Sequence, residues 1–264
     1  MVPRAIELAE VIDLEIPCRS RRPTFARRYR PQPGPPPGVV VYFHGGGAGS
    51  SGLEESDWFC STLAGLSGCE IVSVACRLAP TDADATAVDD AEDAARWVAG
   101  ECRDVPLVVM GDTAGGILAP VVARMARDRG APAIALHVLI CGALDHRPNS
   151  ASHRESGLLP QHQSDAVHRA EHDGTRPVHA EDLRGLPPAL VIVTEFDHLR
   201  YECLSYTHRL EESGVQTTVY WFDTMARGWS FPVRGAVAVA DDAIRSLGLA
   251  ISAVCQRVGP PAGT

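Results

Sequence analysis

A run of three glycines directly after a strongly apolar segment is the first feature with chemical potential. Residues 44–47 read His-Gly-Gly-Gly and follow the segment Val-Val-Val-Tyr-Phe. Because glycine has no side chain, its backbone N–H group can turn toward a ligand at the end of a strand. Several N–H groups aimed at one point stabilise negative charge on an oxygen atom. The same run is also compatible with a flexible turn between a strand and a helix.

A second glycine-rich motif contains a hydroxyl side chain. Residues 111–116 read Gly-Asp-Thr-Ala-Gly-Gly and lie between an apolar segment and an amphipathic one. A Gly-x-Ser-x-Gly motif at a strand-to-helix junction forms a sharp turn that carries a nucleophilic serine. Thr113 occupies the serine position here, so the motif predicts a nucleophile elbow with threonine at its centre.

Alternating segments predict the scaffold that positions both motifs. Short β-rich segments alternate with longer amphipathic ones, a pattern that indicates βαβ units around a parallel sheet. The predicted strands are residues 11–16, 19–30, 39–44, 70–75, 106–110, 133–140, 189–194 and 216–222. The predicted helices are residues 57–66, 87–100, 113–127, 199–212 and 236–258. We therefore expect an α/β fold with a mostly parallel central sheet flanked by helices.

A polar segment rich in His and Arg interrupts this alternation. We interpret residues 146–185 as a lid-like insertion within a single domain that covers residues 1–264. His168 and His172 are four residues apart, as metal ligands on one helix face are, but no third ligand stands at a suitable spacing. We therefore interpret the insertion as a solvated lid, and we predict no metal site and no cofactor.

Composition and charge narrow the range of partners. The chain has 264 residues, of which 45% are hydrophobic, and a net charge of −9. This composition is typical of a globular protein with one large core, and the negative charge argues against nucleic acid or an anionic membrane as partner. No apolar run approaches the about 18 residues of a membrane span. We expect a cytoplasmic protein with a small-molecule substrate, and a homodimer remains open.

Five motifs in this order resemble the hormone-sensitive-lipase family of α/β-hydrolases. They are His-Gly-Gly-Gly at 44–47, Arg-Leu-Ala-Pro at 77–80, Gly-Asp-x-Ala-Gly-Gly at 111–116, Gly-Leu-Pro-Pro-Ala-Leu at 185–190 and Phe-Asp-x-Leu-Arg at 196–200. The resemblance implies an α/β-hydrolase fold with a lid over the strand ends. It also implies a carboxylesterase triad of Ser, Asp and His.

The resemblance assigns roles to individual residues. It implies that the backbone N–H groups of Gly45, Gly46 and Ala114 form an oxyanion hole, and that Asp197 is the triad acid. The serine falls on Thr113, and the histidine, which normally stands in a His-Gly-Phe context, falls on Arg227. The remaining motif residues that we predict to border the substrate are His44, Gly47, Asp112 and Trp229.

The two replacements weaken the mechanism that the resemblance implies. Threonine keeps a hydroxyl group, but its methyl group crowds the line of attack on a carbonyl carbon. Arginine has no acceptor and a pKa above about 12, so Arg227 cannot take the proton of Thr113. Loss of one triad member typically lowers turnover by about 10⁴-fold to 10⁶-fold. We expect Arg227 to pair with Asp197, either to bind an anionic or carbonyl group of a substrate or as a structural ion pair.

A histidine beside the triad acid offers a relocated base. His198 adjoins Asp197 in the chain and stands where the family usually has proline. A base must lie within hydrogen-bond reach of the hydroxyl that it deprotonates. The alternative is that His198 is simply a surface replacement for that proline.

The glycine loop is retained while the nucleophile and its base are replaced, and this selective loss favours a non-hydrolytic enzyme. An oxyanion hole stabilises an enolate as readily as a tetrahedral intermediate. Our main prediction is therefore a dehydratase, cyclase or other lyase that acts on a small carbonyl-containing substrate, such as a natural-product intermediate. One alternative is a slow carboxylic ester hydrolase that uses Thr113 or water with His198 as base. The other is a catalytically inactive homologue that binds a ligand or a partner protein.

Overall fold

In the described part of the chain, one eight-stranded sheet carries the helices. The structure is a computed structural model that describes residues 7–20, 22–45, 52–77, 84–142, 144, 180–197, 199–226 and 237–259. The strands are β1 (Glu10–Ile16), β2 (Thr24–Arg30), β3 (Val39–Phe43), β4 (Glu70–Val74), β5 (Leu107–Asp112), β6 (Leu136–Ile140), β7 (Ala189–Phe196) and β8 (Thr217–Ala226). The helices are α1 (Leu53–Ser67), α2 (Asp84–Glu101), α3 (Leu118–Arg129), α4 (Arg200–Glu212) and α5 (Val237–Val258), with a 3₁₀ turn at Gly115–Ile117.

The strand order places the two glycine motifs side by side. The order is β1-β2-β4-β3-β5-β6-β7-β8. β2 is antiparallel to β1 and β4, and all other neighbours are parallel. β3 and β5 are therefore adjacent, and their carboxyl ends, where the glycine motifs begin, lie at the same edge. The predicted α/β architecture with a mostly parallel sheet flanked by helices is confirmed.

Successive residues of the central strands point to two separate cores. Val40 packs in a cluster with side chains of α1 and α5, whereas Val41 packs in a cluster with side chains of α2 and α3. All five residues of β3 are buried, as expected for a parallel strand that is covered on both faces. This double burial explains why the strand is a continuous apolar run in the sequence instead of an alternating one.

The two largest differences between predicted and observed helix starts have their origin in local backbone conformation. α1 begins at Leu53, four residues earlier than predicted, after Gly52 with a φ of 73°. The helix predicted to begin at residue 113 begins as α3 only at Leu118, because Thr113 has a left-handed backbone and Gly115–Ile117 forms a 3₁₀ turn. The spacing of apolar residues in the sequence does not reveal such turns.

Most of the predicted lid-like insertion, 146–185, lies outside the described residues, which resume at 180. There, Ala180, Leu183 and Leu186 pack with side chains of β6, β7 and α4. The lid and the single-domain organisation stay predictions, as do the cytoplasmic location and the homodimer. Within the described ranges, no helix combines the length and apolar character that crossing a membrane requires.

A fully buried histidine makes the fold sensitive to acid. His137 on β6 lies edge-on to Tyr206, with 6.4 Å between the ring centres, and burial lowers its pKa to about 4 from an ordinary 6.5. The unfolded chain therefore binds a proton between about pH 6.5 and pH 4 that the folded chain does not bind, so stability falls as the pH drops through that window. Between pH 7 and pH 5 we expect a loss of about 2 kcal/mol from this residue.

Denaturant unfolding at pH 7 and pH 5 measures this loss. In His137→Phe, we expect the difference in the free energy of unfolding between pH 7 and pH 5 to shrink by the part that comes from the imidazole. This expectation does not depend on how stable the variant is at pH 7. His208→Gln is the matched control, since the His208 side chain is 70% exposed on α4. An identical pH dependence in His137→Phe and the parent protein would contradict the expectation.

Candidate active site

Thr113 stands at a strained turn between β5 and the following 3₁₀ turn. Its φ is +49°, a left-handed conformation that is unusual for a β-branched residue. The Thr113 N–H group donates to the carbonyl of Ile140 at 3.0 Å, and the Thr113 carbonyl accepts from Gly116 at 3.2 Å. Thr113 is half-buried, whereas Asp112 before it is fully buried. Backbone strain of about 1–3 kcal/mol is typically retained where a residue serves a site.

The glycines of this motif let three backbones approach each other. A Cβ atom on Gly111 would collide with the carbonyl of Gly115, and one on Gly115 would collide with the carbonyl of Phe43 at the end of β3. A Cβ atom on Gly116 would lie 2.7 Å from the Cα atom of Gly142. Glycine is therefore required at these positions because the turn contacts β3 on one side and the residues after β6 on the other.

The first glycine of the loop after β3 is bound to the elbow itself. The Gly45 N–H group donates to the carboxylate of Asp112, and a Cβ atom on Gly45 would lie 3.1 Å from the Cβ atom of Thr113. In this conformation the N–H group is bound to a side chain of the protein. The roles of Gly45 as an oxyanion donor and of Asp112 beside the substrate stay predictions.

His44 also holds the loop. Its side chain is buried, and its Nδ1 atom lies 2.9 Å from the carbonyl of Gly45. Since a carbonyl only accepts, Nδ1 carries the hydrogen in this contact. The ring packs directly on Gly52, where any side chain would collide with it. His44 therefore contacts both the glycine loop and the start of α1, and its predicted place beside the substrate stays a prediction.

Ala114, another predicted oxyanion donor, lies next to Thr113 in the described structure. It directly precedes the 3₁₀ turn that leads into α3, with φ −63° and ψ −43°, and it is half-buried. The first N–H groups of a helix have no acceptor within the helix, and they favour negative charge. This location is compatible with the predicted role of the Ala114 N–H group as an oxyanion donor, which stays a prediction.

Asp197 lies directly after β7 and is held by its own loop. Its side chain is buried, and Oδ1 accepts a hydrogen bond from the N–H group of Leu199 at 2.9 Å. Its carbonyl accepts from Arg200 at 3.2 Å, where α4 begins. Thr113 and Asp197 follow β5 and β7, which are separated by β6 alone, so the sheet brings them to the same edge at about 10 Å, or two strand spacings.

Five predicted site residues lie outside the described residues: Gly46, Gly47, His198, Arg227 and Trp229. Sheet register nevertheless relates one of these positions to the acid. Phe196 on β7 pairs with Ala226 on β8, and Asp197 and Arg227 are the next residues of the two segments. The predicted pairing of Arg227 with Asp197 stays a prediction, as do the roles of the other four residues.

The structure adds a residue that we did not predict from the sequence. Cys141 follows β6, between the ends of β5 and β7, and has a φ of +47°. A cysteine within an apolar run usually behaves as a small core residue. The residue type of Cys141 therefore did not indicate a place at the site. Its position directly after the strand between the two motif-bearing strands is the one clue that the sequence contained.

Comparison with known proteins agrees with this geometry. Residues 40–230 match the family model described as alpha/beta hydrolase fold. Esterase LipI of Mycobacterium tuberculosis is 34% identical over 72% of this chain, and the match spans 65% of LipI, slightly less than two thirds of its length. Ethyl acetate hydrolase of Pseudomonas putida is 32% identical over 78% of this chain and 71% of its own length. The hyperthermophilic esterase of Pyrobaculum calidifontis superposes with a TM-score of 0.86 at 35% identity, covering 95% of this chain and 85% of that chain.

The chain therefore belongs to the α/β-hydrolase family, and its resemblance to the hormone-sensitive-lipase group is confirmed. The prediction of a dehydratase, cyclase or other lyase is wrong, because the relatives and the superposable structures are named esterases and carboxylic ester hydrolases. We had inferred a change of reaction class from the replaced residues, Thr113 and Arg227. The proteins that are similar over most of the chain are instead named for ester hydrolysis.

Proposed function

We propose that this protein is a slow carboxylic ester hydrolase with Thr113 as its nucleophile. The observation that carries the proposal is the left-handed backbone of Thr113 at the turn between β5 and the helix. A β-branched residue adopts this conformation only where its surroundings impose it, and a nucleophile elbow is such a place. The similarity to esterases supports the reaction class.

In the proposed reaction, the Thr113 hydroxyl oxygen attacks the carbonyl carbon of the ester, and the hydroxyl proton passes to a base. The negative charge that develops on the carbonyl oxygen faces the N–H groups of Ala114 and Gly46. The C–O bond to the alcohol then breaks, and the alcohol leaves with a proton from the base. Water attacks the acyl-threonine in the same way and releases the carboxylic acid.

The base in this proposal is His198. Arg227 has donors and no acceptor, so it cannot serve as base. His198 lies between Asp197 and Leu199 in the sequence. The Leu199 N–H group donates to the Asp197 carboxylate and fixes it. Since the base is displaced from its usual position and the methyl group of threonine crowds the attack, we expect turnover far below that of a complete triad.

Hydrolysis of p-nitrophenyl acetate tests the proposal. We choose a small ester because one relative is named ethyl acetate hydrolase. We expect the purified protein to turn over the ester, and Thr113→Ala to lower kcat/KM by about 100-fold because the attacking oxygen is removed. Thr218→Ala is the matched control, because Thr218 is exposed on β8. The proposal fails if the kcat/KM of Thr113→Ala equals or exceeds that of the parent protein.

A further inference from the structure

Cys141 lies at the point of the sheet where the two halves of the proposed site meet. It is the first residue after β6, which separates the strand that leads to Thr113 from the strand that leads to Asp197. Among the described residues other than glycine, Thr113 and Cys141 alone have a positive φ, at +49° and +47°. Two adjacent strands thus end in the same unfavoured conformation, and strain of this kind clusters at functional sites.

Backbone contacts fix Cys141 against both neighbouring strands. Its N–H group donates to the carbonyl of Ile192 on β7 at 3.0 Å. The carbonyl of Ile140, directly before it, accepts the N–H group of Thr113 at 3.0 Å. A shift at Cys141 would therefore move the elbow on one side and the strand that carries the acid on the other.

The thiol of Cys141 lies among groups that include the acid. Its Sγ atom lies 3.7 Å from the hydroxyl of Thr194 on β7, and the thiol interacts with the Asp197 carboxylate. Cys141 is 1% exposed and Thr194 is fully buried. The other titratable groups packed here in the described structure are Cys203, whose thiol donates to the Gly142 carbonyl at 3.4 Å, and Glu202 on α4.

The Cys141 thiol keeps its proton in this setting. Burial raises its pKa well above the ordinary value, and the nearby Asp197 raises the pKa further. A thiol is a nucleophile only as a thiolate, so Cys141 does not replace Thr113 in the reaction. A protonated thiol is a hydrogen-bond donor, though a weak one, and a buried carboxylate needs donors to stay ionised.

We infer that Cys141 is a positioning residue whose S–H group donates to the Asp197 carboxylate and holds it, ionised and oriented, beside the proposed base. The catalytic role of Cys141 rests on the proposed ester hydrolysis. The contact between its thiol and the Asp197 carboxylate does not depend on that proposal. No bond to sulfur forms or breaks in this role. The left-handed backbone at position 141 is what brings the thiol to the acid from the intervening strand.

Replacing Cys141 changes the proton affinity of Asp197 in a defined direction. In Cys141→Ala the carboxylate loses a donor, so we expect its ionisation midpoint to rise by about one pH unit. In Cys141→Ser a stronger hydroxyl donor restores the midpoint to the parent value or lower. Cys255→Ala is the control, since Cys255 is buried against Gly38 at the opposite end of the sheet.

Two measurements separate this inference from the proposed function. NMR titration of protein carrying ¹³C-labelled aspartate, with the Asp197 signal assigned by its loss in Asp197→Asn, gives the midpoint without any need for activity. The pH profile of kcat/KM for p-nitrophenyl acetate should show the same upward shift of its acid limb in Cys141→Ala and its reversal in Cys141→Ser. An unchanged midpoint in Cys141→Ala overturns the inference. A shifted midpoint in a protein without turnover supports the contact and counts against the proposed function alone.

Discussion

The double substitution Thr113→Ser with Arg227→His is expected to raise esterase kcat/KM by about 10³-fold. The substitution supplies an unhindered nucleophile and a side chain that accepts a proton, and Asp197 is already in place after β7. Loss of one triad member costs about 10⁴-fold to 10⁶-fold, so the replacement of two members should recover a substantial part of that loss. Phe196 on β7 pairs with Ala226 on β8, and Asp197 and Arg227 are the next residues in the sequence.

The single substitutions make this prediction specific. Residues of a triad act as a unit, so their effects are not additive. We expect Thr113→Ser alone to change the rate by less than about tenfold, because Arg227 still cannot take the proton. Arg257→His is the control for a new histidine, since Arg257 is exposed at the end of α5. A double variant no faster than the better single variant would show that the site does not accept a conventional triad.

Gly115→Ala is expected to destabilise the fold severely and to abolish activity. The added Cβ atom would collide with the carbonyl of Phe43 in the buried strand β3, and a backbone atom there cannot move aside as the end of a side chain can. Overpacking of this kind costs about 3 kcal/mol or more, which lowers Tm by about 6–12 °C for a domain of this size. The elbow would be displaced from the glycine loop, so ester turnover should disappear with it.

Gly100→Ala provides the matched comparison for this effect. Gly100 lies near the end of α2, and a Cβ atom there would meet nothing within 4 Å. Alanine has a higher helix propensity than glycine by about 1 kcal/mol, so this variant should be neutral or slightly more stable. Thermal unfolding of both variants by circular dichroism measures the difference. Equal Tm values for Gly115→Ala and Gly100→Ala would contradict the tight contact between the elbow and β3.

Much of the scaffold follows from local patterns in the sequence. The run from Val39 to Phe43 is continuously apolar because β3 is covered on both faces, and such a run can be recognised without a structure. The elbow motif could also be recognised, because glycines at positions 111, 115 and 116 are required by contacts between backbones. These features depend on residues close in the chain or on burial alone.

The finer assignments at the site depend on contacts that the sequence does not contain. The motif alone does not reveal which N–H groups of the glycine loop are occupied, and the Asp112 carboxylate takes that of Gly45. Cys141 resembles any core cysteine until its backbone angle and its neighbour Asp197 are known. The error in reaction class has a similar origin, because the residues that are lost from a triad do not by themselves identify the reaction that replaces it.

Covalent labelling of the nucleophile tests the central claim most directly. A p-nitrophenyl alkylphosphonate mimics the ester and leaves a stable phosphonyl group on the attacking oxygen, which peptide mass mapping locates. We predict a single added phosphonyl group on Thr113, absent in Thr113→Ala and retained in Thr218→Ala. A label on another residue, or ester turnover by a protein that takes up no label at Thr113, would contradict the assignment of Thr113 as the nucleophile.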